Sequence, residues 1–449
     1  MRDKLNFKEL LVMGGALFSM HFGASCMLYP VTWGKEAGTS LPLAYIGIFI
    51  SGIFLPLLGY IALVKGGGNF MDITYHISKK FGVFFVATTI IVLGPLYVVP
   101  RMSAAAWDAI RQLFGLDPNK MILPILFSIV YYAATYWFVS TSSKVVDRIG
   151  KILFPILIII VIAVILKSLL DPISDSWTAP RFDTDPVIYG ILQGYATGDL
   201  QCSLMFGLVV VQGIRNARIS ESAINKNLIK VGVVGLGMLA LSHLGHMLAG
   251  ANLGGTIDLE LSALYTQMVV TLWGRIGGVF FNVALVAAAL TTAIGCVSST
   301  AEIWVKVLHD KYSYKLICAV SCAVSCVICT AGLDKIVTIV GPILDACYPA
   351  AIVLAVFYCF AKNCFALRSL FAAKCALISA FFMGMIHLLY VYNSLFSWNL
   401  AWFETAYLSI PFAKYSLAWI PVSAATYCIG WYCSPHKTGE VTVDRIAIS

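Results

Sequence analysis

Two apolar stretches of this chain, near residues 9–34 and 187–214, each lose their hydrophobic character midway. The interruptions read Phe22-Gly23-Ala24-Ser25-Cys26 and Ala196-Thr197-Gly198-Asp199-Leu200-Gln201-Cys202-Ser203. In hydrocarbon an unpaired backbone N–H or C=O costs several kcal/mol, so such breaks persist only where the freed groups line a protected cavity and meet a ligand. Two of them, about half a chain apart, form the pattern of a secondary transporter built from inverted repeats.

The remaining sequence points to the same solvent. The chain is 60% hydrophobic and 12% charged, with a mean hydropathy of +0.87, far from the composition of soluble domains. Stretches of about 20 apolar residues, the length that crosses a ~30 Å core, recur near 9–34, 41–64, 82–113, 121–140, 149–169, 187–214, 228–250, 276–305, 316–332, 336–361, 371–393 and 411–433. They predict an all-α polytopic membrane protein of about 12 transmembrane helices. One domain is expected over 1–449: inverted repeats at about 9–169 and 187–361, further helices at about 371–433, and a tail at 434–449.

Basic residues set the orientation. With a cytoplasmic N-terminus, the inner segments hold 21 of the 30 Lys and Arg, from Arg2, Lys4 and Lys8 through Lys362, Arg368 and Lys374 to Lys437 and Arg445, as the positive-inside rule requires. Both termini are therefore expected in the cytoplasm. This asymmetry, together with anionic lipid, accounts for the net charge of +8 without a nucleic-acid partner. The first apolar stretch is too long for a cleaved signal peptide and is read as helix 1. Most of the 13 cysteines lie within apolar spans and read as small hydrophobes. An external loop is expected at about 170–186, a lid at 251–275, and a cytoplasmic amphipathic stretch at Phe70 to Lys80 that includes His76 and Ile77.

Several residues in these spans could bind a ligand. The amides of Ala24 and Ser25, beyond Gly23, would sit at the positive N-terminal end of a second half-helix and suit a substrate carboxylate. The carbonyls of residues 19–22 end the first half-helix and suit a cation or an ammonium group. Alternatively, Gly23 and Ser25 serve close helix packing. Asp199 is the sole acid in its span, and Gly198 before it favours an unwound backbone. A carboxylate at that depth could bind the substrate amine, bind a proton, or cap the half-helix that follows. Ala288, Thr291 and Thr292 share one helix face, and two hydroxyls plus a carbonyl offer hard oxygen donors for a small cation, unless each Thr bonds back to its own helix. Arg101 should snorkel or pair, with Asp345 as the partner of an external gate or a structural tie. His21 adjoins the first break and could carry a proton.

Phe18-Ser19-Met20-His21-Phe22-Gly23-Ala24-Ser25-Cys26-Met27-Leu28-Tyr29-Pro30, Gly94-Pro95-Leu96-Tyr97-Val98-Val99-Pro100-Arg101, Gly194-Tyr195-Ala196-Thr197-Gly198-Asp199 and Leu290-Thr291-Thr292-Ala293-Ile294-Gly295 resemble the bacterial branched-chain amino acid:cation symporters, from helix 1 to helix 12. The resemblance implies the LeuT-like fold of five plus five inverted helices followed by two more, with helices 1 and 6 discontinuous. It also implies sodium-driven import of leucine, isoleucine or valine. It further implies that Ala24 and Ser25 hold the substrate carboxylate and the His21 carbonyl its ammonium, and that the carbonyls of Ser19, Phe22 and Ala288 with the hydroxyls of Thr291 and Thr292 hold sodium. The chain departs from the family at Ser25-Cys26, where Gly-Asn is usual, and at His21, where an apolar aromatic is usual. A thiol is a poor sodium ligand, so one sodium is expected rather than two.

The expected function is thus import of an amino acid with sodium by alternating access, with no covalent cofactor. A proton-coupled or exchange-type carrier of other small neutral amino acids, using H+ through His21 or Asp199, is the alternative. No nucleophile–base or metal-ligand constellation suggests an enzyme, and no continuous polar face suggests a channel. Nothing in the sequence fixes the oligomeric state.

Overall fold

The computed structural model describes residues 2–75, 78–117, 120, 122–360 and 369–434. His76, Ile77, Lys362, Arg368, Lys437 and Arg445, and the tail beyond residue 434, lie outside the described residues. Within them the chain is helical, with no strand beyond an isolated bridge between Arg2 and Ile219.

The first break is short. Helix α1 (Phe7–His21) starts at a capping box in which Asn6 and Glu9 satisfy each other's backbone amides, and it stops two residues before α2 (Ala24–Ala37). The chain turns at Gly38 (φ 47°, ψ −124°) and continues through α3 (Leu41–Ile48), a π turn at Phe49–Phe54 and α4 (Leu55–Lys65). After the short α5 (Phe70–Tyr75), α6 (Lys79–Ile91) and α7 (Val98–Phe114) join through a second π turn at Val92–Leu96 containing Pro95. Next come α8 (Ile122–Val139), α9 (Val145–Arg148), a third π turn at Ile149–Leu153 and α10 (Phe154–Leu170).

The second break separates α11 (Pro186–Tyr195) from α12 (Asp199–Asn216), with a bend of 40°. Asp185 caps α11 by accepting from the amides of Val187 and Ile188, with Pro186 at the first helical position where its missing N–H costs nothing. Helices α13 (Glu221–Ala251), α14 (Leu261–Val307), α15 (Tyr314–Cys329), α16 (Leu333–Phe360), α17 (Leu370–Leu395), α18 (Ala401–Leu408) and α19 (Trp419–Cys433) complete the chain.

Each apolar stretch expected from the sequence falls on helix, but the count of about 12 is not reached by length and composition. Among the described residues, 8 helical runs are long and apolar enough to cross a membrane, or 9 with the bent pair α11 and α12 taken as one. The difference has a physical source. Breaking a span leaves pieces too short to qualify, as with the 15 residues of α1, while the run from Ala24 to Lys65 merges two stretches into 42 residues. The expected lid at 251–275 proves to be largely the first part of α14, set off from the long span by a kink at Gly274 (φ 67°, ψ −167°).

Outward-facing apolar side chains such as Ile159, Leu241 and Val327 are 66%, 71% and 73% exposed, the surface of a protein solvated by lipid rather than water. Interior contacts rely on small residues. Gly190 of α11 lies against the backbone of α3, where a Cβ would meet the Ala44 carbonyl oxygen at 1.9 Å. That contact fixes the first half of the second broken helix against its neighbour.

Candidate functional site

Both breaks end where their sequences lose helical carbonyl partners. At the first, the Phe22 amide closes α1 on the Phe18 carbonyl at 2.7 Å, and Gly23 turns extended (φ −78°, ψ −179°) before α2 begins. Ala24 and Ser25 are the first residues of α2, so their amides have no intrahelical carbonyl. At the second, Gly198 adopts the left-handed conformation (φ 70°, ψ 12°), one that glycine enters without a steric penalty. The Thr197 hydroxyl meanwhile donates to the Gly194 carbonyl at 2.8 Å.

The two breaks meet through side chains. His21, the last residue of α1, places Nδ1 2.8 Å from Asp199 Oδ1, and its Nε2 lies 3.0 Å from the Tyr60 hydroxyl on α4. His21 and Asp199 are buried, and the imidazole edge rests on Phe206 with ring centres 5.2 Å apart. Asp199 Oδ2 and both side-chain amide atoms of Gln201, two residues along α12, have no hydrogen-bond partner. Asp199 does not cap α12: Gly198 holds the cap position, without a side-chain bond. Tyr60 went unnoticed in the sequence because nothing local marks a tyrosine inside an apolar span.

The expected cation ligands also converge, with one substitution. The Thr291 hydroxyl donates to the Ser19 carbonyl at 2.7 Å and to the Ala288 carbonyl at 2.9 Å, while Thr292 donates to the Met20 carbonyl at 2.8 Å. Thr292 therefore reaches across to α1 instead of back along α14, and Thr291 does both. Gly23 closes over this meeting point, since a Cβ there would lie 2.8 Å from Thr292 Oγ1 and 2.8 Å from the Met102 sulfur. The His21 carbonyl, expected to receive an ammonium group, instead accepts from the Gly23 amide at 2.9 Å and the Cys26 thiol at 3.3 Å.

Arg101 and Asp345 form no ion pair among the described residues. Arg101 donates to the Tyr97 hydroxyl at 2.7 Å and stacks over that ring at 4.6 Å. A hydroxyl four residues back on the same helix is reached at less entropic cost than a carboxylate on α16. Cys326 and Cys329 have C-x-x-C spacing on α15, a pattern hidden when each cysteine is read only as a small hydrophobe. Both are free thiols, and Cys329 donates to the Ser128 hydroxyl. Among the described residues no group of three or more His, Cys, Asp or Glu could hold a metal.

Away from the breaks, Lys35 at the end of α2 reaches Asp258 at 3.3 Å and the Leu259 carbonyl at 2.9 Å, and Arg181 reaches the same Asp258 at 3.4 Å. The Arg181 amide donates to the Glu36 carbonyl at 2.8 Å. The loop between α10 and α11 and the segment before α14 thus clasp one helix end.

Hydroxyl and carbonyl oxygens of α14 and α1 thus meet beside the first break, next to the Ala24 and Ser25 amides that open α2. Comparison with known proteins bears on the family and the fold. A model of the family described as "Branched-chain amino acid transport protein" matches residues 6–437. The branched-chain amino acid permease BraB of Bacillus subtilis is 32% identical over 365 residues, covering 79% of this chain and 81% of that protein. The branched-chain amino acid transport system 2 carrier protein of Pseudomonas aeruginosa is 27% identical over 426 residues, covering 93% and 94%. In fold, the chain is similar to MhsT, solved in complex with L-phenylalanine, with a TM-score of 0.54 at 16% identity, covering 88% of this chain and 99% of that one. Mhp1, a nucleobase-cation-symport-1 family transporter, gives a TM-score of 0.54 at 12% identity, covering 95% and 93%.

Proposed function

The chain belongs to the branched-chain amino acid transport protein family, and from that premise we propose that it imports leucine, isoleucine or valine together with sodium by alternating access. It is a multi-pass membrane transporter and not an enzyme. The observation that carries the sodium reading is the convergence of the Thr291 and Thr292 hydroxyls on the Ser19 and Met20 carbonyls beside the first break. Hydroxyl and carbonyl oxygens without net charge suit a small hard cation, and the hydrogen bonds now between them are the ones such an ion would exchange for coordination.

The amino acid is placed between the two breaks. Its carboxylate meets the amides of Ala24 and Ser25, and its ammonium meets the unpartnered Oδ2 of Asp199, because the His21 carbonyl is already engaged. Cation binding to α1 and α14 stabilises one arrangement of the broken helices, and the ion gradient gives the cycle its direction. Inverted repeats at about 9–169 and 187–361, a bacterial inner-membrane location and cytoplasmic termini complete the reading.

Uptake of labelled leucine, isoleucine and valine into proteoliposomes, with sodium or proton gradients imposed separately, tests it. Uptake that requires external sodium is the expected result. Uptake driven equally well by a pH gradient in sodium-free buffer would overturn it.

A further inference from the structure

Helix α7 passes beside the first break: a Cβ on Gly23 would lie 2.8 Å from the sulfur of Met102, the residue after Arg101. The Arg101 guanidinium is within electrostatic range of Cys26 and Tyr29 on α2, Cys202 on α12 and Cys296 on α14. Cys26 directly follows the Ala24 and Ser25 amides, and Cys202 lies three residues past Asp199. The charge therefore stands among the helix ends that the two breaks expose. It is held on one side only. Nη1 donates to the Tyr97 hydroxyl at 2.7 Å, and the guanidinium stacks 4.6 Å over the Tyr97 ring. Helix α16 backs that hydroxyl, since a Cβ on Gly341 would come within 3.1 Å of it. Nε, one prong of the fork with which arginine grips a carboxylate side-on, is buried and has no hydrogen-bond partner. Among the described residues Arg101 forms no ion pair, with Asp345 of α16 or with any other carboxylate.

We propose that Arg101 is the countercharge of the substrate carboxylate, closing on it from α7 while the amides of Ala24 and Ser25 hold it from α2. A guanidinium keeps its charge at any pH the cell reaches, and a charge held partly out of water without a partner is costly. An incoming carboxylate removes that cost, and the free Nε gives it a directed bond. Tyr97 keeps the fork in place, so little side-chain freedom is lost when the anion arrives. The consequence is selectivity for a whole zwitterion. Asp199 Oδ2 on α12 takes the ammonium end and Arg101 on α7 the carboxylate end, so a ligand with only one of the two charges leaves a buried ion unpaired. Amines and amides with the carbon skeleton of leucine are therefore rejected, whatever their side chains fit.

The inference rests on the proposed amino-acid transport, and one experiment separates the two. Leucine and leucinamide, which lacks the carboxylate, are each titrated into purified full-length transporter in sodium buffer, using the wild type, Arg101→Gln and Arg101→Lys. Arg101→Gln is expected to weaken leucine about a hundredfold, within the range for truncating one partner of a buried charge pair, while leucinamide hardly changes. Arg101→Lys keeps the charge but not the fork and should cost leucine about tenfold, so it carries the test where Arg101→Gln does not fold. Sodium alone, without amino acid, should raise the melting temperature of wild type and variants equally. Leucine affinity that Arg101→Gln and Arg101→Lys leave unchanged would overturn the inference and leave the proposed function standing. Equal losses for leucine and leucinamide, or loss of the sodium effect together with leucine, would overturn it too, because Arg101 would then only brace α7. Wild-type protein that binds no leucine would sink both readings.

Discussion

The imidazole of His21 and the carboxylate of Asp199 lie 2.8 Å apart although 178 residues separate them in sequence, and each stands at the broken end of its own helix. Removing one partner strands the other in a buried site, at a cost of roughly 1–3 kcal/mol. His21→Phe and Asp199→Asn are each expected to lower thermal stability and to cut leucine uptake about tenfold or more. In the double variant the losses should fall short of their sum by about 0.5–3 kcal/mol, the range for directly coupled side chains. Strictly additive stabilities across the cycle would show that the contact carries no weight.

Thr292 reaches α1 without a second bond to its own helix, whereas Thr291 is shared between Ser19 and Ala288. Thr292→Ala is expected to raise the sodium needed for half-maximal uptake about tenfold, a loss of roughly 1.4 kcal/mol, with leucine, isoleucine and valine kept in the same order. Thr292→Ser should restore most of it. Unchanged sodium dependence in both Thr291→Ala and Thr292→Ala would place the cation elsewhere.

Two glycines separate site effects from folding effects. At Gly23 an added methyl meets side-chain atoms of Met102 and Thr292, and at Gly34 it meets the Met247 backbone at 1.9 Å. Gly23→Ala should therefore yield folded protein with uptake reduced about tenfold. Gly34→Ala should lower expression and melting temperature, because two helix backbones must separate. Comparing melting temperature with uptake in both variants checks this, and a Gly23→Ala protein as unstable as Gly34→Ala would contradict it.

The Lys35 clasp has a defined acid limit. The hydrogen bond from Lys35, aided by Arg181, holds the Asp258 carboxyl below the ordinary carboxylate range. A depressed group contributes stability above its unfolded value, about 3.9, and loses it as pH falls through the folded value. Between about pH 5.5 and 8 the Asp258 carboxyl stays ionised, so uptake profiles of wild type and Asp258→Asn should have the same shape there. A profile that bends in that window only when Asp258 is present would refute the assignment.

Much of the site was legible because breaks in apolar spans are rare and costly. The small residues after His21 and the Gly198-Asp199 pair placed both interruptions within a residue or two of where α1 and α11 end. Helical spacing alone put Thr291 and Thr292 on one face. Partners were the part that stayed hidden. Tyr60 lies on α4 within an unremarkable apolar run, and no local pattern says that His21 and Asp199 meet each other rather than a substrate. Arg101 was assigned to Asp345 on charge, but Tyr97, one turn away, offered a nearer acceptor. That Thr292 meets the Met20 carbonyl depended on which peptide unit α1 turns toward α14, a rotation that composition does not encode.

Three spans carry a wide turn, at Phe49–Phe54, Val92–Leu96 and Ile149–Leu153. Each holds one residue more than an α turn would, which amounts to stored slack. Passing that extra residue along a helix rotates everything it crosses by about 100° and advances it by about 1.5 Å, while interrupting only the bonds of the turn in transit. Among the described residues all three lie between 49 and 153, so a shift of this kind would re-index the early helices against their neighbours and leave the later ones in register.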